Sequence, residues 1–199
     1  MKIFNGKLLF VVIIFLLIFS FILYINFIHE QYFAKLPIEL KVIVLTLKGY
    51  YADGFYNGDV NTIDFKKLKV GDIIIVGNPK SVYGTYTHAA LYIGNGLTVD
   101  GNIGEGIRYV PVEHYKYYSY GKILRIMTSD DIKIKACINI EENVGSVFFL
   151  LAPIQNENLT YCTKMIWTSF KKAGIELFKP NRIIVPDDFL KSKFVYEVK

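Results

Sequence analysis

Three residues in this chain have the types that thiol chemistry requires: Cys162, His88 and Asp100. A sulfur nucleophile needs a base within hydrogen-bond reach, and the base needs a third group to fix its tautomer and orientation. His88 heads the stretch THAALYIGNG (87–96), an ionisable ring in front of Ala, Ala, Leu, Tyr and Ile. Asp100 follows twelve residues later in LTVDGN, with Asn102 as the reserve for the third role. Each residue alone has a plainer reading. A lone strand histidine is more often a core group bonded to a backbone carbonyl, and a first-turn cysteine is more often structural. Only the three together make a case for catalysis.

Position on the elements sharpens it. NLTYCTKMIWTSFKKAGIEL (158–177) has apolar residues at helical spacing (Met165, Ile166, Phe170, Ala173), two lysines near its end and Gly174 to stop it. Asn158 or Thr160 can cap this helix, which puts Cys162 in its first turn. The positive end of the helix dipole favours thiolate there, and a free N–H can face a developing oxyanion. His88 and Asp100 lie on two strand-like runs around Gly94-Asn95-Gly96, a hairpin signal. A two-residue Asn95-Gly96 loop sets Asp100 opposite Leu91, on the face away from His88. A three-residue loop, or an equivalent bulge, sets it opposite Ala90 and on the histidine's face. Local signals allow both.

The remaining segments supply a scaffold. LKVGDIIIVGNP (68–79), GIRYVPVEHY (106–115) and GKILRIM (121–127) read as further antiparallel strands, and Ser129-Asp130-Asp131 starts a helix ending around 143–145. Cys137 on that helix reads as a small buried hydrophobe. Asp187 and Asp188 are expected to cap a short final turn, Lys164 to face solvent, and His114 to sit in a surface turn. HYKYYSY (114–120) reads as satellite core or surface rather than as a groove. Two cysteines make no disulfide framework, and no metal-type spacing or cofactor motif is present.

At the N-terminus LLFVVIIFLLIFSFILYI (8–25) would span roughly 27 Å as a helix, close to a bilayer's hydrocarbon core. Lys2 and Lys7 precede it, no small-x-small cleavage site follows, and His29 falls at the membrane border. An uncleaved anchor with the C-terminal part exported is therefore expected. LPIELKVIVLTLKGYY (36–51) reads as a juxtamembrane helix, and YADGFYNGDVN (51–61) as a turn-rich boundary. The expected division is 1–29 anchor, 30–61 juxtamembrane helix and linker, and 62–199 hydrolase domain. The chain is 52% hydrophobic with net charge +5, but its lysines are scattered and no recognition motif accompanies them, which excludes a nucleic-acid partner.

HAALYIGNGLTVDG resembles the histidine segment of NlpC-type cell-wall peptidases, and YCTKMIWTSFKKAGIEL resembles their nucleophile helix. In that family the cysteine precedes the histidine; here it follows by 74 residues. This is the order of the permuted, YiiX-type papain-like branch, in which Gly71-Asp72, His88, Asp100, Tyr161-Cys162 and Pro186-Asp187-Asp188 fall in place over residues 68 to about 190. Asp100 stands where the branch usually carries glutamate, and Thr163-Lys164 where Ser-Glu is commoner. The resemblance implies an α+β, circularly permuted papain-like (NlpC-like) fold with an antiparallel sheet packed on helices, behind the anchor. It implies a membrane-anchored extracytoplasmic cysteine hydrolase, acting on peptidoglycan-type amides or on esters, with Cys162 as nucleophile, His88 as base and Asp100 as orienting acid, and without cofactor or metal. The alternatives are a catalytically silent anchored scaffold, or a lipid acyltransferase or thioesterase on the same fold. Its partners are the membrane and a peptide or acyl-lipid substrate.

Overall fold

The computed structural model describes residues 6–27, 33, 35–51 and 60–199. Lys2, His29 and the boundary over 52–59 lie outside the described residues. The centre of the fold is β1 (Ile73–Gly77), a continuous apolar run buried at every position. Such a run fits a strand covered on both faces. Antiparallel neighbours build outward from it: β2 (His88–Gly94), β3 (Leu97–Asn102) and β4 (Gly106–Pro111) on one side, and β5 (Tyr120–Ile126) and β6 (Val195–Glu197) on the other.

The alternation of β1 sorts the core. Ile73 and Ile75 join the larger cluster with α3 (Asp130–Glu141) and α4 (Cys162–Lys172), through Ala136, Ile140, Met165 and Phe170. Ile74 and Val76 join a second cluster on the opposite face, with Val110, Val112, Tyr115 and Tyr118. That second face is covered by a 3-10 turn, Val112–Tyr117, and by the chain around Ile63 and Phe65. The fold is thus mixed α+β, an antiparallel sheet packed on helices, as its residues suggest.

Gly71-Asp72 before β1 has a physical role. Gly71 has φ +84° and a Cβ there would lie 2.6 Å from that of Lys133, so only glycine fits. Asp72, fully buried, accepts two bonds from Arg125 of β5 at 2.8 and 2.7 Å and one from the Lys69 N–H at 2.8 Å.

The 22-residue α1 (Gly6–Phe27) and α2 (Ile38–Leu47) precede this domain. Side chains described for α1 run from residue 9 to 24 and are nearly all large, apolar and exposed. Among the described residues no helix is long and apolar enough to cross a membrane, so the span expected over 8–25 stays a proposal. Beyond α2, the Tyr51 N–H donates to the Lys80 carbonyl and its own carbonyl accepts from Val82, tying this segment to the strap that leads into β2.

Candidate active site

The β2–β3 hairpin decides whether His88 and Asp100 can meet. Its turn is the two-residue Asn95-Gly96, with φ of +53° and +75°, and Gly94 pairs with Leu97 beside it. That register alone would turn Asp100 away from His88. One residue further the register shifts: Tyr92 pairs with Thr98 and Leu91 with Val99, leaving Ile93 as a bulge. The extra residue slips the pairing by one and restores the shared face. The hairpin thus combines the short turn with the bulge that replaces a longer loop.

On that face His88 Nε2 lies 3.0 Å from Asp100 Oδ2, with His88 5% and Asp100 1% exposed. The Cys162 side chain stands beside the same imidazole, close enough to act on its protonation, and the two line one cavity. With Nε2 engaged by Asp100, Nδ1 is the nitrogen left for sulfur. Burial opposes charge on His88 and is the largest single influence, yet the Asp100 carboxylate and the bonds to Asp100 and Cys162 hold its pKa well above the usual histidine value. Asp100 answers in kind. Burial raises its pKa, but His88, the Tyr115 hydroxyl and Arg108 outweigh burial and keep it lowered.

The signs set a pH window. Stabilisation from the raised His88 is complete below the unfolded value of about 6.5 and is lost as pH rises through the folded one. Stabilisation from the lowered Asp100 is present above the unfolded carboxyl value of about 3.9 and is lost as pH falls through the folded one. The pair supports the fold between these limits.

Cys162 is the first residue of α4, capped by the extended Tyr161, so neither Asn158 nor Thr160 is the cap. Its neighbours are clamped to one residue. The Thr163 hydroxyl donates to the Ile184 carbonyl at 2.7 Å, and the Tyr161 hydroxyl accepts from the Ile184 N–H at 2.9 Å. The helix's first intrahelical bond runs from the Met165 N–H to the Tyr161 carbonyl, so the N–H groups of residues 162 to 164 have no helical acceptor. Cys162 and His88 line one small cavity of about 20 Å³ with Phe148, Leu150, Ile103 and Ile184. Among the described residues no Asp, Glu, Lys or Arg side chain lines it.

Asn102 lines the cavity edge but is committed elsewhere: its amide donates to Glu105 at 3.1 Å and its oxygen accepts from the Ile103 N–H at 2.8 Å. The structure therefore brings together His88, Asp100 and Cys162 and leaves Asn102 at the end of β3, bonded to the turn that follows.

Several other residues stand apart from their sequence expectations. Lys164 is not solvent-facing but 3% exposed, its ammonium donating to the carbonyls of Pro153 and Leu159, each at 2.6 Å, and to that of Asn156. The irregular segment 153–159 wraps over the lysine, and helical spacing carries no trace of that. Asp188 does cap its turn, accepting from the Val185 N–H at 3.0 Å, whereas Asp187 accepts from Tyr86 in the strap before His88. His114 is exposed as expected. Cys137 is buried and hydrogen-bonds the Tyr92 carbonyl at 3.7 Å. Tyr115, in HYKYYSY, is fully buried: its hydroxyl donates to Asp100 Oδ2 at 2.7 Å and meets Thr98 Oγ1 at 2.8 Å. Nothing in the aromatic run's composition singled it out.

No family model matches the chain, and no curated protein does. Among solved structures it is similar to the crystal structure of metalloprotein yiiX from Escherichia coli O157:H7, with 13% identity and a TM-score of 0.55, over 66% of this chain and 96% of that one. The fold is YiiX-like. That protein is described as a metalloprotein. Here, among the described residues, no group of three or more His, Cys, Asp and Glu could hold a metal ion. Of the described residues that line the cavity only Cys162 and His88 are of the types zinc sites use, fewer than such sites need.

Proposed function

We propose that the chain is a cysteine hydrolase of the permuted papain-like, NlpC-related kind, which cleaves amide or ester bonds through an acyl-enzyme. The observation that carries this reading is His88, bonded to Asp100 through Nε2, standing beside Cys162 in one cavity. In the reaction the Cys162 thiolate attacks the carbonyl carbon, and its C–S bond forms as the carbonyl π pair moves to oxygen. First-turn N–H groups of α4 stabilise that oxyanion. Collapse expels the leaving amine or alcohol, which takes the proton from the His88 imidazolium. A water then gives its proton back to His88 and attacks the thioester, releasing the acid and the thiol. Asp100 keeps the imidazole oriented and favours its charged form.

The uncharged cavity wall favours a substrate whose acyl part near the scissile bond is neutral and apolar. That supports acyl esters beside the amides of wall peptides, the second reading on this fold.

Thiol labelling tests the nucleophile. Burial pushes the Cys137 thiol up to about 12, so roughly one part in a million is thiolate near pH 6. Iodoacetamide at mildly acidic pH is expected to label Cys162 and spare Cys137. His88→Ala should slow Cys162 labelling, because the base that takes the thiol's proton is gone. Equal labelling of both cysteines, or no change in the His88 variant, would leave the silent scaffold as the better reading.

We further propose that residues 8–25 anchor the chain in a membrane with the domain on the extracytoplasmic side. The exposed apolar side chains of α1 and Lys2 and Lys7 ahead of them support this. A reporter fused after Lys199 should be active only outside the membrane; activity in the cytoplasm would refute the orientation.

A further inference from the structure

Two buried hydroxyls stand behind the His88–Asp100 pair, and their hydrogens can be accounted for. Thr98 Oγ1 lies 2.9 Å from the Val110 carbonyl and 2.8 Å from the Tyr115 oxygen, and Tyr115 lies 2.7 Å from Asp100 Oδ2. Tyr115 has one hydroxyl hydrogen, and the charged carboxylate is its stronger acceptor. Thr98 then gives its single hydrogen to Val110 or to the Tyr115 oxygen. The result is a polarised chain that ends on the same carboxylate oxygen His88 uses. Among the described residues Oδ1 accepts no hydrogen bond, and Arg108 Nε lies 3.8 Å from it.

Two donors therefore share one oxygen. A phenol bonded to Oδ2 draws off part of the negative charge that would otherwise face the imidazole. The Tyr115 ring also lies nearly parallel to the imidazole, 18° between planes at 6.2 Å. Tyr115 and Thr98 are both fully buried, which leaves water no room to take the hydroxyl's place.

We propose that Tyr115 is a positioning residue that acts through Asp100, holding the proton affinity of His88 below what the bare carboxylate would impose. Its importance for catalysis rests on His88 being the proton carrier of the proposed hydrolase; the titration of His88 does not. The groups facing His88 are Asp100 from β3, Cys162 from α4, and Tyr115 and Tyr118 from the 112–118 segment, with Arg108 of β4 and His114 behind them. Among these, Tyr115 alone donates to the oxygen that His88 shares.

The proposal predicts opposite signs for two substitutions on one network. Imidazole NMR titrations would be run on the full-length chain in detergent micelles, in a Cys162→Ala background that removes the thiol's own ionisation. Asp100→Asn is expected to lower the His88 midpoint, since burial then acts without its opposing charge. Tyr115→Phe is expected to raise it by roughly 0.5–1 pH unit, a three- to tenfold gain in proton affinity. A side chain that merely filled space would loosen the pair and move the midpoint down, so a fall or no change in Tyr115→Phe overturns the proposal. Should that variant not fold, the Tyr115 hydroxyl proton of the unsubstituted residue decides. A slowly exchanging hydroxyl resonance that shifts as His88 titrates supports the proposal, and one that does not move with His88 overturns it. Labelling of Cys162 in the native background reports separately on the hydrolase reading.

Discussion

Cys162→Ala is expected to lower hydrolysis of muropeptides and acyl esters by roughly 10⁴-fold or more while leaving the melting transition in place. The asymmetry follows from what the sulfur does. In the proposed reaction it forms the covalent bond of the acyl-enzyme, and no neighbouring group can replace it: the cavity's other polar side chains are hydroxyls, an amide and the imidazole itself. For folding, by contrast, the exchange removes one small atom from a first-turn position whose neighbours stay clamped to Ile184. Both substrate classes should be assayed side by side, with the wild-type chain as reference. Turnover that survives in Cys162→Ala would remove this residue as nucleophile whatever the substrate.

Arg125→Met is expected to destabilise the domain by about 3–5 kcal/mol, the range for removing one partner of a buried ion pair. Asp72 is fully buried, and the guanidinium supplies two of its three hydrogen bonds. Without it a carboxylate stays inside the fold with one backbone N–H for company. The double variant Asp72→Asn with Arg125→Met should recover much of the loss, because it is the stranded charge that is expensive rather than the absence of the pair. Denaturant melts of the single variants and the double variant give the cycle. A loss under about 1 kcal/mol for Arg125→Met would show that Asp72 finds water or another donor once the arginine is gone.

The parts legible in the sequence were those that short-range chemistry fixes. The apolar run of β1, the Asn95-Gly96 turn and the amphipathic helix behind Cys162 each announce themselves within a dozen residues. What pairs across the chain does not. Asp72 and Arg125 stand 53 positions apart. The Ile93 bulge leaves no local signature, since Ile is as apt in a regular strand as in a bulge, yet the bulge decides which face Asp100 takes. Tyr115 reaches the carboxylate because the 3-10 turn after β4 folds back over the sheet, and neighbours in HYKYYSY share its type but not its placement. Lys164 obeys helical spacing and still ends up inside, because an irregular loop closes over it.

That closure makes Lys164 a clock. Its amine is held by three carbonyls of 153–159, in a loop continuous with Phe148 and Leu150 of the cavity wall, and loop and lysine together line an open cavity of about 580 Å³. An acylating reagent meets exposed lysines at once but reaches this one only when the three bonds release together. The rate at which Lys164 is acylated, followed by mass spectrometry at rising reagent concentration, therefore counts openings of the segment that leads into Cys162. It does so with no knowledge of the substrate, and a ligand that seats in the thiol cavity and closes the loop would be seen as a slowing of that count.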